Sequence, residues 1–287
     1  MAFFEAHGLS KSFGPKHILK NVSLSLERGE FLSIVGAMGS GKSTLLSLLA
    51  GLTAADSGEV TIAGAAVRGI QNDAAYVFQN YSLLPWFTAL ENVRLAVEAA
   101  MPQLTKAEQR AQAQRTLEMV GLGNAVGRRP GQLSGGMRQR VAIARAFATE
   151  PQILFLDEPF GALDALTRET LQQELARLCA ARERPVTVVM ITNSVEEALL
   201  LSDRIVPILS GPPATLGAPI PVDMPRPRTT IQLAHDALAC DVRAHVVATL
   251  TAGLGRTRHN KETHAGTARA HRADESLSHA LGPVHRG

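Results

Sequence analysis

The nine residues GAMGSGKST, 36–44, limit what this chain can become more than any other stretch. They follow a short apolar run, Phe31–Val35, and lead into an amphipathic one starting at Lys42. Strand, glycine-rich turn and helix, in that order, is the context in which such a loop binds phosphate. Gly36, Gly39 and Gly41 let successive backbone N–H groups turn inward toward phosphate oxygens that a Cβ would hold off. The helix beginning at Lys42 adds the positive end of its dipole. Lys42 is therefore predicted to reach the β- and γ-phosphates and Ser43 to offer a hydroxyl to Mg2+. Ser40 and Thr44 belong to the same nucleotide-binding set. The alternative is a glycine-rich βα turn with a lone surface lysine, and the flanking strand and helix favour the phosphate-binding reading over it.

Around this loop, short apolar runs alternate with helix-length amphipathic ones, the pattern of a parallel sheet with crossover helices. Strands are predicted at Phe31–Val35, Ala74–Phe78, Ile153–Leu156 and Val186–Ile191, with Val60–Ile62 as an antiparallel edge piece. Helices are predicted at Lys42–Ala50, Lys106–Val120, Gly135–Ala148, Ala165–Arg182 and Val195–Leu201. Leu171, Leu175 and Leu178 recur at i, i+4, i+7 and give the fourth helix one buried stripe. Thr105 with Glu108, and Ser194 with Glu197, read as capping boxes. Residues 81–150 show helical patterning and no strand, so they form a helical insert between the second and third parallel strands. GPPATLGAPIPVDMPRPR, after Ser210, reads as an extended strap. Residues 231–250 suit one further helix. The domains follow: 1–222 as the nucleotide-binding unit, 223–250 as strap and helix, and 251–287 as a disordered tail.

Two further stretches carry chemistry. ILFLDEP, 153–159, ends a buried strand in two carboxylates, and an unpaired buried charge costs several kcal/mol. A metal-bound triphosphate across the crevice supplies the missing partner, with Asp157 holding Mg2+ and Glu158 acting as general base toward water. LSGGMRQR, 133–140, opens a helix with Ser134, Gly135 and Gly136, which present a hydroxyl, two open N–H groups and a helix N-terminus. One subunit with two phosphate-binding ends suggests head-to-tail pairing. Each nucleotide would then sit between the glycine-rich loop of one copy and the Ser-Gly-Gly of another.

Composition removes other classes. The net charge of +3 equals the excess of Arg and Lys over acids in residues 255–287, so the body of the chain is neutral and a nucleic-acid partner is not indicated. Two cysteines, Cys179 and Cys240, make no disulfide framework, and Cys179 reads as a small core residue. No apolar run approaches the 18 or so residues of a membrane span, and MAFFEAHGLSKSFG lacks a signal-peptide core. The expectation is a soluble, cytosolic protein that can still act on a membrane through a partner. The irregularly spaced histidines after residue 255 are expected to be solvated rather than metal-binding.

Together, GAMGSGKST, LSGGMRQR and ILFLDEP resemble the ATP-binding cassette family, the nucleotide-binding subunits of ABC transporters, over about residues 4–210. The resemblance implies a P-loop fold with a RecA-like parallel core, an antiparallel β edge and a helical insert, with ATP and Mg2+ as ligands. By the same resemblance Phe13 stacks on adenine, Gln79 touches metal and attacking water, and Gly161-Ala162-Leu163-Asp164 connects paired cassettes. One position departs. The family has Thr-His-Asp before Val-Glu-Glu-Ala, and this chain has Thr192-Asn193-Ser194. Asn193 can donate from its amide but cannot carry charge or relay a proton. Losing one transition-state contact of this kind costs about 10²–10³ in rate. The expectation is a site that binds ATP and hydrolyses it slowly, paired with a second, non-identical cassette in preference to a homodimer.

NYSLLPWFTALENV, 80–93, sits where the family receives a helix of the membrane permease, and Tyr81, Leu84, Trp86 and Phe87 are more apolar surface than an insert needs. The chain looks like the importer branch for nitrate, nitrite, cyanate, bicarbonate, sulfonates and taurine, with a solute-binding protein as an indirect partner at the inner membrane face. The alternatives are a soluble cassette of DNA repair, translation or cluster assembly, and a regulatory ATP-binding subunit with little hydrolysis. The first commonly carries two cassettes or a long coiled-coil insert, and neither is visible in this sequence.

Overall fold

The computed structural model describes residues 2–180, 185–211 and 213–252. Two long strands open the chain, β1 (Phe4–Phe13) and β2 (Lys16–Leu26), followed by β3 (Phe31–Val35) and α1 (Lys42–Leu49). β4 (Ser57–Ile62), β5 (Ala65–Ala66) and β6 (Ala74–Val77) come next. Three helices follow, α2 (Ala89–Ala100), α3 (Lys106–Met119) and α4 (Gly135–Phe147). The second half adds β7 (Ile153–Asp157), α5 (Ala165–Ala180), β8 (Thr187–Thr192), α6 (Val195–Leu201) and β9 (Arg204–Leu209). β10 (Thr215–Leu216), β11 (Ile220–Pro221), α7 (Thr230–His235) and a helix over 237–252, α8, complete the described chain.

One sheet has the order β10-β9-β3-β8-β7-β6, and from β9 to β6 all neighbours are parallel. Its central strands are buried on both faces, which is why their sequences read as unbroken apolar runs rather than alternating ones. Leu154 and Leu156 of β7 and Val188 and Met190 of β8 enter the core under the helices. Ile153, Phe155, Val189 and Ile191 enter the core shared with α1 and the second sheet. That second sheet, β2-β1-β4-β5, is antiparallel. Val60–Ile62 is thus an antiparallel piece as expected, but it belongs to a four-stranded sheet whose two longest strands the sequence pattern does not reveal. The physical reason is irregular pairing: register shifts at Ala6/Leu9, Leu9/Lys11 and Lys11/Ser12 interrupt the period of two. β9 is also unpredicted, because Pro207 reads as a strand breaker. Pro207 falls between the short pairings of β11 at Arg204 and Ile205 and of β10 at Ile208 and Leu209, where no N–H is asked of it.

The helical insert is as expected, with no strand among residues 81–150. Thr88 with Glu91 and Thr105 with Glu108 form complete capping boxes on α2 and α3. α6 is capped differently from the prediction. Ser194 Oγ accepts from the Glu197 N–H at 3.3 Å, but the Glu197 carboxylate turns inward to the Thr192 hydroxyl at 2.5 Å instead of reaching back. The strap after residue 210 is extended, yet it is a paired element: β10 and β11 both add to β9. The single helix predicted for 231–250 is two, α7 and α8. Thr229 and Gln232 cap the first, and Asp236 leaves helical geometry to cap the second, accepting from the Ala239 N–H at 3.0 Å. Leu171, Leu175, Leu178 and Cys179 of α5 are all buried. The tail predicted for 251–287 lies, from residue 253, outside the described residues, as does 181–184 at the predicted end of α5.

Phe155 packs the strand that carries the carboxylates against the second sheet, in the core shared with α1. It is 1% exposed, packs edge-on against Phe4 at 6.0 Å and stacks with Tyr76 at 6.5 Å. Phe155→Ala is expected to cost about 3–5 kcal/mol, measured by denaturant unfolding; a loss below 1 kcal/mol would contradict this packing.

Candidate functional site

Four adjacent parallel strands deliver the expected residues to one edge of the sheet. β3 runs into the loop 36–41, β8 into Asn193, β7 into Asp157 and Glu158, and β6 into Gln79. Their ends are in step, since Val35 lies opposite Thr192, Asp157 opposite Ile191 and Val77 opposite Leu156. Pairing continues past the strands, with Gly36 N–H to the Thr192 carbonyl at 3.4 Å and Glu158 N–H to the Ile191 carbonyl at 3.0 Å. The carboxyl edge of a parallel sheet is where this class of fold holds ligands.

The loop has the makings of an anion cradle. Gly41 is the N-cap of α1 at φ 93°, a left-handed conformation, and offers no side chain to the helix N–H groups. Gly36 has a packing requirement of its own, because a Cβ there would meet Ile208 Cγ2 of β9 at 2.3 Å. The Ser40 hydroxyl is buried with no hydrogen-bond partner among the described residues. Thr44 sits half-buried in the first turn of α1. Unsatisfied donors at a helix start, with an orphaned buried hydroxyl beside them, fit a phosphate group.

Lys42 is the centre of the cluster. Only 4% exposed, its ammonium donates to the carbonyls of Gly36 at 3.0 Å and Ala37 at 2.9 Å and to Asn193 Oδ1 at 2.5 Å. Glu158 Oε1 stands 3.5 Å away. Burial pulls the Lys42 pKa below its ordinary value despite that carboxylate, so the site holds less negative charge than its cation needs. Asn193 bridges the two charges, since its Nδ2 donates to Glu158 Oε1 at 2.8 Å while its oxygen faces Lys42. Only this orientation of the amide satisfies an ammonium and a carboxylate together. The second oxygen of Glu158 accepts from Gln79 Nε2 at 3.2 Å. Glu158 itself has φ 44°, a left-handed backbone that costs a non-glycine residue about 1–3 kcal/mol and is kept where a function holds it.

Asp157 has no cation of its own. Ser43 Oγ donates to its Oδ1 at 3.2 Å and the Tyr76 hydroxyl to its Oδ2 at 3.3 Å, while burial pushes its carboxyl pKa up. No group of three His, Cys, Asp or Glu side chains that could hold a metal exists among the described residues. Mg2+ takes one or two protein ligands and completes its shell with phosphate and water. Asp157, Ser43 and Gln79 fit such a partial shell. Tyr76 is a member of the site that no motif reveals; the only signal is its place on β6, the strand beside β7.

The remaining predicted residues lie apart from this cluster. Phe13 is 53% exposed at the tip of the β1–β2 hairpin, with the Lys11 ammonium 5.5 Å from its ring centre. The same hairpin backs onto the loop, since Ile18 Cγ2 would lie 3.1 Å from a Cβ on Gly41. Ser134 caps α4 by accepting from the Met137 N–H at 3.2 Å, which leaves its own hydroxyl proton free to donate elsewhere. Gly135 neighbours the Tyr81 hydroxyl and the Ala162 carbonyl, and Gly136 is closed in by Thr167, so 134–136 adjoins 161–164 and not the loop 36–44. Arg168, which the sequence did not single out, holds that 161–164 loop by donating to the carbonyls of Phe160 at 3.3 Å and Leu163 at 2.8 Å. Trp86 is 62% exposed, with Phe87 edge-on to it at 6.4 Å. No helix among the described residues is long and apolar enough to cross a membrane.

A carboxyl raised by burial keeps its proton longer in the folded chain than in the unfolded one. As pH rises from acid, the unfolded chain ionises first, so stability is lost between the ordinary carboxylate range and the raised folded value. Asp157→Asn is therefore expected to raise the melting temperature of the nucleotide-free protein at neutral pH, by roughly 2–4 °C per kcal/mol relieved. It should also weaken Mg2+-dependent nucleotide binding. A lower melting temperature with unaltered Mg2+ dependence would contradict the assignment.

Comparison with known proteins bears on this arrangement. Residues 19–161 match the ABC transporter family model. The bicarbonate transport ATP-binding protein CmpC of Synechocystis sp. is 48% identical over 229 residues, covering 80% of this chain and 34% of CmpC. The chain thus spans about a third of the length of that relative. The nitrate import ATP-binding protein NrtD of Synechococcus elongatus is 46% identical over 234 residues, covering 82% of this chain and 85% of NrtD. Among solved structures, a dimeric post-hydrolysis state of the ATP-binding cassette MJ0796 bound to ADP and Pi superposes with a TM-score of 0.68 at 34% identity, over 77% of this chain and 99% of that one.

Proposed function

The chain belongs to the ABC transporter family, and from that premise we propose that it is the ATP-hydrolysing subunit of an importer for a small anion, nitrate or bicarbonate by preference. The observation that carries the reading is the Lys42–Asn193–Glu158 bridge at the mouth of the loop 36–44. Relatives named for nitrate import and for bicarbonate transport support the anion class without choosing between them, and a sulfonate or taurine stays within the branch. Residues 1–222 form the cassette in this reading, with 223–250 as its accessory segment.

In the proposed mechanism the N–H groups of 36–44 and the Lys42 ammonium hold the triphosphate of ATP, and Phe13 stacks on the adenine. Triphosphate oxygens replace the Gly36 and Ala37 carbonyls as partners of Lys42 and restore the charge balance that burial disturbs. Mg2+, held by Ser43, Asp157 and Gln79, would supply neutralisation of phosphate charge. Glu158 takes a proton from the attacking water. Asn193 keeps Glu158 Oε1 in place but has no proton to exchange, so the step is slower than with an imidazole. Ser134, Gly135 and Gly136 meet the nucleotide of a second cassette, and a neighbour that is not identical would tolerate a slow site here. The dimeric cassette among the structural relatives supports pairing in general. The exposed Trp86 beside Phe87 supports a membrane permease as the other partner and favours transport over a soluble role. In this reading the subunit works at the cytoplasmic face of the membrane.

Turnover of the purified chain is expected to be slow and to rise by about 10²–10³ in Asn193→His, measured as phosphate release at saturating Mg-ATP. Vigorous and equal turnover in both would remove the slow-site assignment. Co-purification with a membrane permease supports the transport role; co-purification with ribosomes or nucleic acid would overturn it.

A further inference from the structure

Asn193 stands between β8 and α6, and α6 is gripped from both ends. Its seven residues span only about 10 Å, so a shift at one end reaches the other. At the N-terminal end the Thr192 hydroxyl donates to Glu197, which Gln172 and Arg168 also approach, at 3.4 and 3.9 Å. At the C-terminal end the helix carbonyls would lack partners but for the strap. Arg228, 7% exposed, donates from Nη1 to the carbonyls of Leu199 and Ser202, both at 2.7 Å. Its Nη2 and Nε donate to the carbonyls of Val222 and Met224, so one buried guanidinium joins the end of α6 to the strap through five hydrogen bonds. Arg226 adds a bond to the Leu201 carbonyl and an ion pair with Asp203 at 3.0 Å. From α8, Arg243 takes the Glu196 carboxylate in a two-pronged pair at 2.6 and 3.0 Å. Arg243 thus grips the first turn of α6, while Arg226 and Arg228, as cations at its C-terminus, also interact favourably with the dipole.

A surface strap has no need of a buried arginine whose hydrogen bonds all go to main-chain carbonyls. We propose that Arg228, with Arg226 and Arg243, is a positioning brace that fixes α6 and thereby sets Asn193 against Lys42 and Glu158. The inference rests on the reading of Asn193 as part of the hydrolytic cluster. It makes the segment 222–243 a working part of the ATPase rather than an appendage to it. The brace touches neither nucleotide nor metal, so it governs the rate of the chemical step and not the affinity for ATP.

A double-mutant cycle on the full chain tests this. Arg228→Gln is expected to lower kcat about tenfold or more, with nucleotide affinity unchanged, and to have no further effect in an Asn193→Ala background. Because Arg228→Gln removes a buried group, the surface variant Arg243→Ala is run beside it; a loss of about two- to threefold is expected, again absent in the Asn193→Ala background. A third reading is independent of turnover. The side-chain amide NMR signals of Asn193, identified by their disappearance in Asn193→Ala, should move in both arginine variants. If the arginine variants slow both backgrounds equally, or leave those signals in place, the brace is overturned while the site stands. If Asn193→Ala itself leaves turnover unchanged, the reading of the site falls and the brace with it.

Discussion

A buried ammonium without enough negative charge around it is the constraint on which the structure turns. Lys42 satisfies itself with two carbonyls, one amide oxygen and a carboxylate 3.5 Å away, and burial still lowers its pKa. Asp157, two strands along the same edge, is short of positive charge instead, with two hydroxyl donors and a raised pKa. Each side chain is costly to keep where it is, and a magnesium-triphosphate would relieve both, one through its anionic oxygens and the other through its metal. The parallel register of β3, β8, β7 and β6 brings these unsatisfied groups to one edge, and the two apolar cores hold that register.

Asn193 takes on a more definite role in this setting than its letter suggests. An amide offers one donor and one acceptor on the same rigid group, and here they face a carboxylate and an ammonium. It keeps Glu158 in place without taking part in proton exchange. The left-handed backbone at Glu158 adds a second sign that the carboxylate is held for use. The bridge between ammonium and carboxylate is thus kept by a group that holds both charges but cannot relay a proton between them.

The parts of the fold that could be read from the sequence are those in which local pattern and tertiary role agree. The doubly buried strands announce themselves as apolar runs, the insert as long amphipathic helices, and the loop 36–44 as glycines between a strand and a helix. What could not be read was set by long-range pairing. β1 and β2 hide behind shifted registers, and β9 behind Pro207, whose missing N–H is harmless only because of where β10 and β11 happen to pair. Glu197 looked like half of a capping box, yet its carboxylate turns inward to Thr192. Tyr76, Arg168 and Arg228 carry no motif, because each acts through a contact more than fifty residues away or through backbone carbonyls that no sequence pattern records.

The central claim is that Lys42 is held for a triphosphate. An equilibrium titration of Mg-ATP against the intact chain and against Lys42→Ala tests it most directly. With charged hydrogen bonds of about 1.5–3 kcal/mol at stake, the account predicts a loss of affinity of at least about tenfold with no loss of thermal stability in the nucleotide-free variant. Equal affinity in the two proteins would contradict it.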